Sequence, residues 1–196
     1  MALPLVSLSG RLILSPPTER DDPHFVALRS HPETRQYIPR QFFPDNFTVE
    51  AARARRESRA SDPAIVDFSI RSKDGDEYLG AIGIFHVDEA MKSCESGVAI
   101  SPAAFRTGVA TEAFHAVMRY AFETRGLHRV VFHTAASNVR MRGLLDGAGA
   151  KLEGILREVW PANEGDGFSD ACVYSILAQE WTETVKSRLE ERISRL

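Results

Sequence analysis

Residues 105–111, Phe-Arg-Thr-Gly-Val-Ala-Thr, set two small residues, Gly108 and Ala110, two positions apart, just where apolar residues begin to recur. A loop that runs into a helix leaves the first amides without intrahelical partners, and the helix dipole adds partial positive charge there. Such a turn suits an anion, and small residues let a phosphate approach the backbone. The same letters also suit a plain turn, with Gly108 easing the bend and Thr111 capping, and the loop alone does not choose between the two. It contains no G-x-G-x-x-G and no lysine after a glycine, so neither a dinucleotide fingerprint nor a P-loop is written here.

Positioning such a loop takes a strand before it and a helix after it. Ala110, Ala113, Phe114, Val117, Met118, Ala121 and Phe122 form one helical stripe, predicting a helix over 109–125 that Gly126 closes. Before it, three strands are predicted at 64–72, 78–87 and 94–102, joined by short links and so antiparallel. Alternation in the first puts Ile65, Asp67 and Ser69 on one face and Val66, Phe68 and Ile70 on the other. The step from Ile100 to Val131 is strand–helix–strand, which implies a right-handed crossover and a parallel pair. A strand at 127–136, a helix over 137–150, strands at 152–160 and 170–177 and an amphipathic helix over 179–195 complete the chain. At the other end, a short strand is stopped by Pro16 and Pro17. Short helical pieces interrupted by Pro23 and Pro32 follow, then a helix opened by Thr48 whose arginines read as a solvated face. The fold class is therefore α/β, or α+β: a mixed, mostly antiparallel central sheet of about seven strands flanked by helices.

The chain has 196 residues, 43% hydrophobic and 26% charged, with a formal net charge of −3. One domain over 1–196 is expected. That charge gives no strong pull toward nucleic acid or an anionic membrane. Cys94 and Cys172 lie in apolar runs with no metal-like spacing and read as buried free thiols. The N-terminal stretch lacks a basic lead and is interrupted by Gly10, so it does not read as a signal peptide, and no run reaches the ~20 apolar residues of a membrane span. A cytoplasmic protein without a metal is expected.

Taken together, the wording "GVAISPAAFRTGVATEAF…YAFETRGLHRV…SN…GAKLEGILRE" resembles the acetyl-CoA-binding core of the GNAT N-acyltransferase superfamily. It is most similar to the branch of ribosomal-protein N-terminal alanine acetyltransferases. The resemblance spans residues 10 to 182 and is strongest from 95 to 157. It implies a sheet splayed between the fourth and fifth strands, with acetyl-CoA as co-substrate. It implies that backbone amides of Arg106, Thr107, Gly108, Val109, Ala110 and Thr111 hold the coenzyme pyrophosphate, that Val98, Ala99 and Ile100 pair with the pantetheine arm, and that Asn138 hydrogen-bonds that arm. The wording departs from the family's at Phe105, usually Gln or Arg, and at Arg106, often Gly. It also departs at Met141 and Leu145, where the branch's serine and other branches' tyrosine would supply a proton donor.

Acyl transfer to an amine requires a neutral nucleophile, a stabilised oxyanion and a departing thiolate. A thiol with a pKa of about 8.5 leaves tolerably without a donor. Neutralising a lysine-like amine at pH 7 costs about 3–4 kcal/mol more than neutralising an α-amine, so a base matters for some acceptors. Glu95 is the first candidate base, and it matches a glutamate common in the resembled branch; with Asn138 it makes up the expected catalytic set. Asp67, Asp170 and Tyr174 are candidate acceptor contacts, and His133 reads as a packed strand histidine. The loop at 160–170 carries Glu164, Asp166 and Asp170, which suit a cationic amine or are ordinary solvated acids. The expected activity is N-acetyl transfer to a primary amine, either a protein N-terminus or a small molecule. A non-catalytic acyl-CoA-binding module is the alternative that Met141 and Leu145 keep open. A third reading is a pure interaction protein that forms a homodimer through its C-terminal helix, which needs Trp181, Val185, Leu189 and Ile193 to be exposed.

Overall fold

The computed structural model describes residues 3–38, 44–162 and 167–196. A hairpin opens the chain: β1 (Leu5–Val6) turns at Gly10, whose φ of +79° is left-handed, into β2 (Leu12–Ser15). Two residues are too few to alternate, so β1 leaves no signature, and among the described residues the sheet has eight strands where the sequence predicts about seven. Next come α1 (Asp22–Ser30) and α2 (Pro32–Arg35). Pro23 and Pro32 fall in the first turns of these helices, where a missing N–H loses no bond, so they start the helices and do not break them. The Thr48 hydroxyl accepts from the Ala51 amide at 3.2 Å and caps α3 (Val49–Ala60).

An antiparallel meander follows: β3 (Val66–Ser72), β4 (Tyr78–Asp88) and β5 (Ser93–Ile100). The helix after the loop, α4 (Val109–Arg119), widens into a π-turn over Tyr120–Thr124 before Gly126, at φ +63°, ends it. The remaining elements are β6 (Arg129–Ala135), α5 (Val139–Ala148), β7 (Lys151–Pro161), β8 (Phe168–Leu177), α6 (Ala178–Glu180), a second π-turn over Trp181–Val185 and α7 (Lys186–Ile193).

Strand order is β1-β2-β3-β4-β5-β6-β8-β7. Every pair is antiparallel except β5 with β6, the parallel step that the crossover predicts. That parallel pairing covers only Ser93↔Arg129, Cys94↔Val130 and Glu95↔Val131. Beyond Glu95 the two strands part, while β4 stays paired with β5 as far as Gly80↔Ile100 and β6 stays paired with β8. The sheet is thus splayed between the strands that the family resemblance indicates.

The α4 stripe packs into the core through Ala113, Phe114, Val117, Met118 and Ala121. Trp181, Val185, Leu189 and Ile193 are also buried, and α7 lies along α4. Burying side chains of this size stabilises by about 1.5–3 kcal/mol each. The C-terminal stripe is therefore spent inside the chain, which removes the exposure that the interaction-protein reading requires. Cys94 and Cys172 are buried free thiols, and burial pushes the Cys94 thiol up to about 12. Among the described residues, no helix is long and apolar enough to cross a membrane.

Candidate active site

The loop between β5 and α4 is a nest of main-chain amides. Arg106 (φ +63°) and Gly108 (φ +84°) are both left-handed, and alternation of this kind turns successive N–H groups toward one concavity. The first amide with a helical partner is that of Glu112, which donates to the Gly108 carbonyl at 3.1 Å. Among the described residues, the amides of Arg106, Thr107, Gly108, Val109, Ala110 and Thr111 donate to no protein group. Six amides at the start of an eleven-residue helix match an anion such as a pyrophosphate.

The loop is braced from behind by residues that sequence reasoning missed. Arg11 donates through Nη2 to the Thr107 carbonyl at 2.6 Å and through Nε to Glu112, which also accepts from Ser9. The Glu112 side chain is 0% exposed. Burial opposes its ionisation, but hydrogen bonds from Ser9, Ser7 and Arg11 outweigh that and hold the carboxyl below its usual range. The one available signal was an acid in a first helical turn within an apolar stripe. A Cβ on Gly108 would lie 2.2 Å from Leu196 Cδ1 and 2.8 Å from Arg11 Nη2. The glycine therefore makes room for the C-terminal residue and the brace, and it permits the left-handed φ.

Phe105 also acquires a role. The Arg140 guanidinium lies over its ring at 4.4 Å and also donates to Glu33 at 2.9 Å, so one side chain links the loop, α5 and α2. Asn138 caps α5, its Oδ1 accepting from the Met141 amide at 3.1 Å. Leu145 lies wholly inside the core and Met141 packs against it, so neither position offers a proton donor.

At the fork of the splay sits Glu95, 23% exposed. His133 Nδ1 lies 3.1 Å from Glu95 Oε1, and His86 Nδ1 lies 3.5 Å from Oε2. His133 reads as packing in the sequence but stands beside the candidate base. His86 is carried there by a bulge in β4 and has φ +53°. Among the described residues, the β5 edge facing β6 has no strand partner from Ser96 to Ile100, so Val98, Ala99 and Ile100 border the cleft through their backbone, while the Ala99 and Ile100 side chains are buried.

A family model of the acetyltransferase (GNAT) domain matches residues 11–151. The chain belongs to the GNAT acetyltransferase family, and it is an acetyltransferase. It is 28% identical over 172 residues to the uncharacterised N-acetyltransferase YoaA of Bacillus subtilis, covering 86% of this chain and 94% of the relative. A crystal structure from T. thermophilus assigned as an acetyltransferase is 30% identical, with a TM-score of 0.79 over 98% of this chain and 99% of that one. Mycobacterium smegmatis RimJ in complex with CoA-disulfide shares the fold at a TM-score of 0.83 and 20% identity, over 97% of this chain and 93% of that one.

In this GNAT chain the expected acceptor contacts do not converge. Asp67 lines a cavity of about 530 Å³ between the sheet and the α1 and α3 helices, and it accepts both hydrogen bonds of a bidentate pair with Arg59, at 2.5 and 2.7 Å. Asp170 stands on β8, four strand spacings away, roughly 19 Å or more. Its carboxylate accepts from the Glu158 amide at 2.8 Å, steadying a β7 bulge where Glu158 has φ +52°. Tyr174 is 1% exposed and faces the α5 side, its hydroxyl 3.4 Å from Arg142 Nε, because strand alternation puts it opposite His133 and Val173. The structure thus groups Asp67, Glu95 and His133 on one sheet face and separates Asp170 and Tyr174 from them. Glu164 and Asp166 lie outside the described residues. The α3 arginines also depart from expectation: Arg55, Arg56 and Arg59 line the cavity instead of forming a solvated face.

Proposed function

We propose that the chain transfers the acetyl group of acetyl-CoA to a primary amine. The observation that carries this reading is the place of Glu95: it stands where β5 and β6 part, next to His133, with the amide nest at the far end of the same opened strand. In this reading the nest amides from Arg106 to Thr111 hold the pyrophosphate, the free backbone edge of Val98, Ala99 and Ile100 aligns the pantetheine arm, and Asn138 contributes its remaining side-chain amide N–H groups. Acetyl-CoA supplies an activated thioester carbonyl: the amine nitrogen bonds to its carbon, the C–S bond breaks and sulfur departs as thiolate. Glu95 takes up the proton that the amine must lose, directly or through water, and His133 at 3.1 Å fixes the carboxylate and can share that proton. Strand amides left free beyond Glu95 can donate to the developing oxyanion.

A thiolate with a pKa of about 8.5 departs at neutral pH without a donor, so the apolar Met141 and Leu145 are compatible with turnover. The acceptor is a small amine or a protein N-terminus, and the chain works as one cytoplasmic domain. Incubation with acetyl-CoA and an amine panel, followed by free-thiol release, tests the proposal. Amine-dependent release is expected; saturable acetyl-CoA binding without release on any amine would leave the acyl-CoA-binding module as the better reading.

A further inference from the structure

Three neighbouring strands each bring one ionisable side chain to the same point. Glu95 stands on β5, with His133 of β6 on one side and His86 of β4 on the other. His133 Nδ1 is near Oε1 of the carboxylate, at 3.1 Å, and His86 Nδ1 is near Oε2, at 3.5 Å, so each oxygen has its own imidazole. The His86 side chain is 77% exposed, against 31% for His133 and 23% for Glu95, so it is the member of the row that meets bulk water.

His86 is not where regular pairing would put it. Phe85 pairs with Glu95 and shares its face, so alternation would send His86 to the face of Ile84, which is wholly buried. Instead the register moves from Phe85↔Glu95 to Asp88↔Ser93, leaving His86 and Val87 against Cys94. Val87 packs on the core, its amide donating to the Ala64 carbonyl at 3.0 Å, and His86 takes the left-handed φ of +53°. A bulge alone is best served by glycine at such a position, yet an imidazole stands there. The bend therefore delivers this ring to Glu95, where the Phe85 ring meets it edge-on at 5.2 Å. The other charges around this point are engaged elsewhere: Arg59 with Asp67, Arg125 with Glu89 and Arg129 with Glu153. Asp88 accepts from the Met91 amide at 2.8 Å, and Lys92 lies in the exposed turn.

Acetylating an ammonium group takes two protons from its nitrogen. One leaves to make the nucleophile and one after the C–N bond has formed; one ends on the coenzyme sulfur, and the other must reach solvent. Glu95 has to be emptied before the next turnover. We infer that His86 is the proton exit of this site: Nδ1 takes the proton from Glu95 Oε2, the imidazolium loses a proton from Nε2 to water or buffer, and the exposed neutral ring recovers its first tautomer in solvent. It acts through Glu95, as a positioning residue for the departing proton. This rests on the amine-acetylation reading above and adds the route by which its proton leaves.

The experiment follows thiol release from acetyl-CoA at neutral pH in weak buffer, with the most basic amine that the parent accepts. His86→Gly and His86→Asn both suit a left-handed φ, so they keep the bulge and remove the ring; their melting temperatures and coenzyme A affinities are compared with the parent's. In each, kcat should fall about 10-fold with KM unchanged, and added imidazole should restore it in proportion to concentration. With Glu95 already replaced by Gln, His86→Gly should lower kcat no further, since the two groups act in series. Parent-like kcat in both variants, a loss that imidazole leaves in place, or the full loss repeated on top of Glu95→Gln would each overturn the inference and leave amine acetylation standing. No release by the parent with any amine would sink the acetylation reading itself, and this inference with it.

Discussion

On the loop side of the cleft the groups proposed to face a ligand are main-chain amides, and the side chains there brace the loop: Arg11 holds the Thr107 carbonyl, Glu112 holds Arg11, and Leu196 stands close to Gly108. On the cavity side the relation is reversed. The backbone of Gly83 and Gly97 forms the floor, and the lining is made of side chains, the Arg59–Asp67 pair among them. A backbone site tolerates almost any lettering that keeps its dihedral angles, which is why Phe105 and Arg106 can depart from the usual wording. A side-chain site changes character with single substitutions. One fold can thus keep its acyl donor and exchange its acceptor.

The sharpest way to break this contrast is Gly108→Asp. It places a side chain at φ +84°, against Leu196 and Arg11, and adds negative charge beside the proposed pyrophosphate. Coenzyme A affinity should fall by roughly 100-fold or more, at a cost of several kcal/mol for like charges. Calorimetric titration reads this directly, and unchanged affinity would remove the loop from the cofactor site. Arg106→Ala should weaken binding far less, because the proposed contact at position 106 is made by its amide.

Next in size is the brace. Glu112→Ala strands the Arg11 guanidinium and the Ser9 hydroxyl behind the loop. Breaking a buried charge pair from one side costs about 3–5 kcal/mol; Arg11 is 40% exposed, so a loss of about 2–3 kcal/mol in urea unfolding is expected. A loss below ~0.5 kcal/mol would mean that the loop holds its shape unaided.

Glu95→Gln probes the junction between the two sides. A base matters most for the most basic amine, so kcat should fall about 10- to 100-fold for a lysine-like acceptor and less for an α-amine. His133→Gln should give a smaller loss of the same kind. An unchanged pH–rate profile in Glu95→Gln would exclude the carboxylate as the base.

How much of this could be read beforehand follows the same division. The loop, the 110–122 stripe and the parallel step to β6 were legible because they depend on local periodicity and on the connection rule for parallel strands. Alternation also placed Asp67 and Ser69 on one face, the face that lines the cavity. The bend of the α3 arginines into that cavity was not legible: helix spacing shows that they share a helix, but whether solvent or α1 and β3 covers them is settled by tertiary contacts, those with α1 lying 34 residues away in sequence for Arg56 and Asp22. Tyr174 and Asp170 stood on a strand correctly read as a strand, but which face meets the splay depends on the register with β6. The eighth strand was invisible because two residues carry no period, and His133 gave no hint of its carboxylate neighbour because parallel register is not written locally.

The smallest effect concerns what keeps the loop side rigid. His115 on α4 is 1% exposed, beside the Trp181 ring at 5.7 Å, with Glu190 of α7 at 3.4 Å from Nε2. Burial lowers its pKa first, the charges of Arg119 and Lys186 push the same way, and Glu190 opposes them. With the folded value below the unfolded ~6.5, the unfolded chain binds more protons between the two. Stability from this group is therefore complete above about pH 6.5 and is lost as pH falls through the folded value, by no more than about 1.4 kcal/mol per pH unit. The carboxylates held low, Glu112 and Glu123 among them, lose their contributions only below about pH 4.5, so the window from pH 5 to 6.5 lies above them, and the difference between the parent and a His115 variant there reports on His115. Melting temperature should decline across that window in the parent and decline less in His115→Phe, which keeps an aromatic ring beside Trp181. Equal slopes would show that the packing of α4 on α7 yields enough to solvate the imidazolium, and the loop side would then be less rigid than its burial suggests.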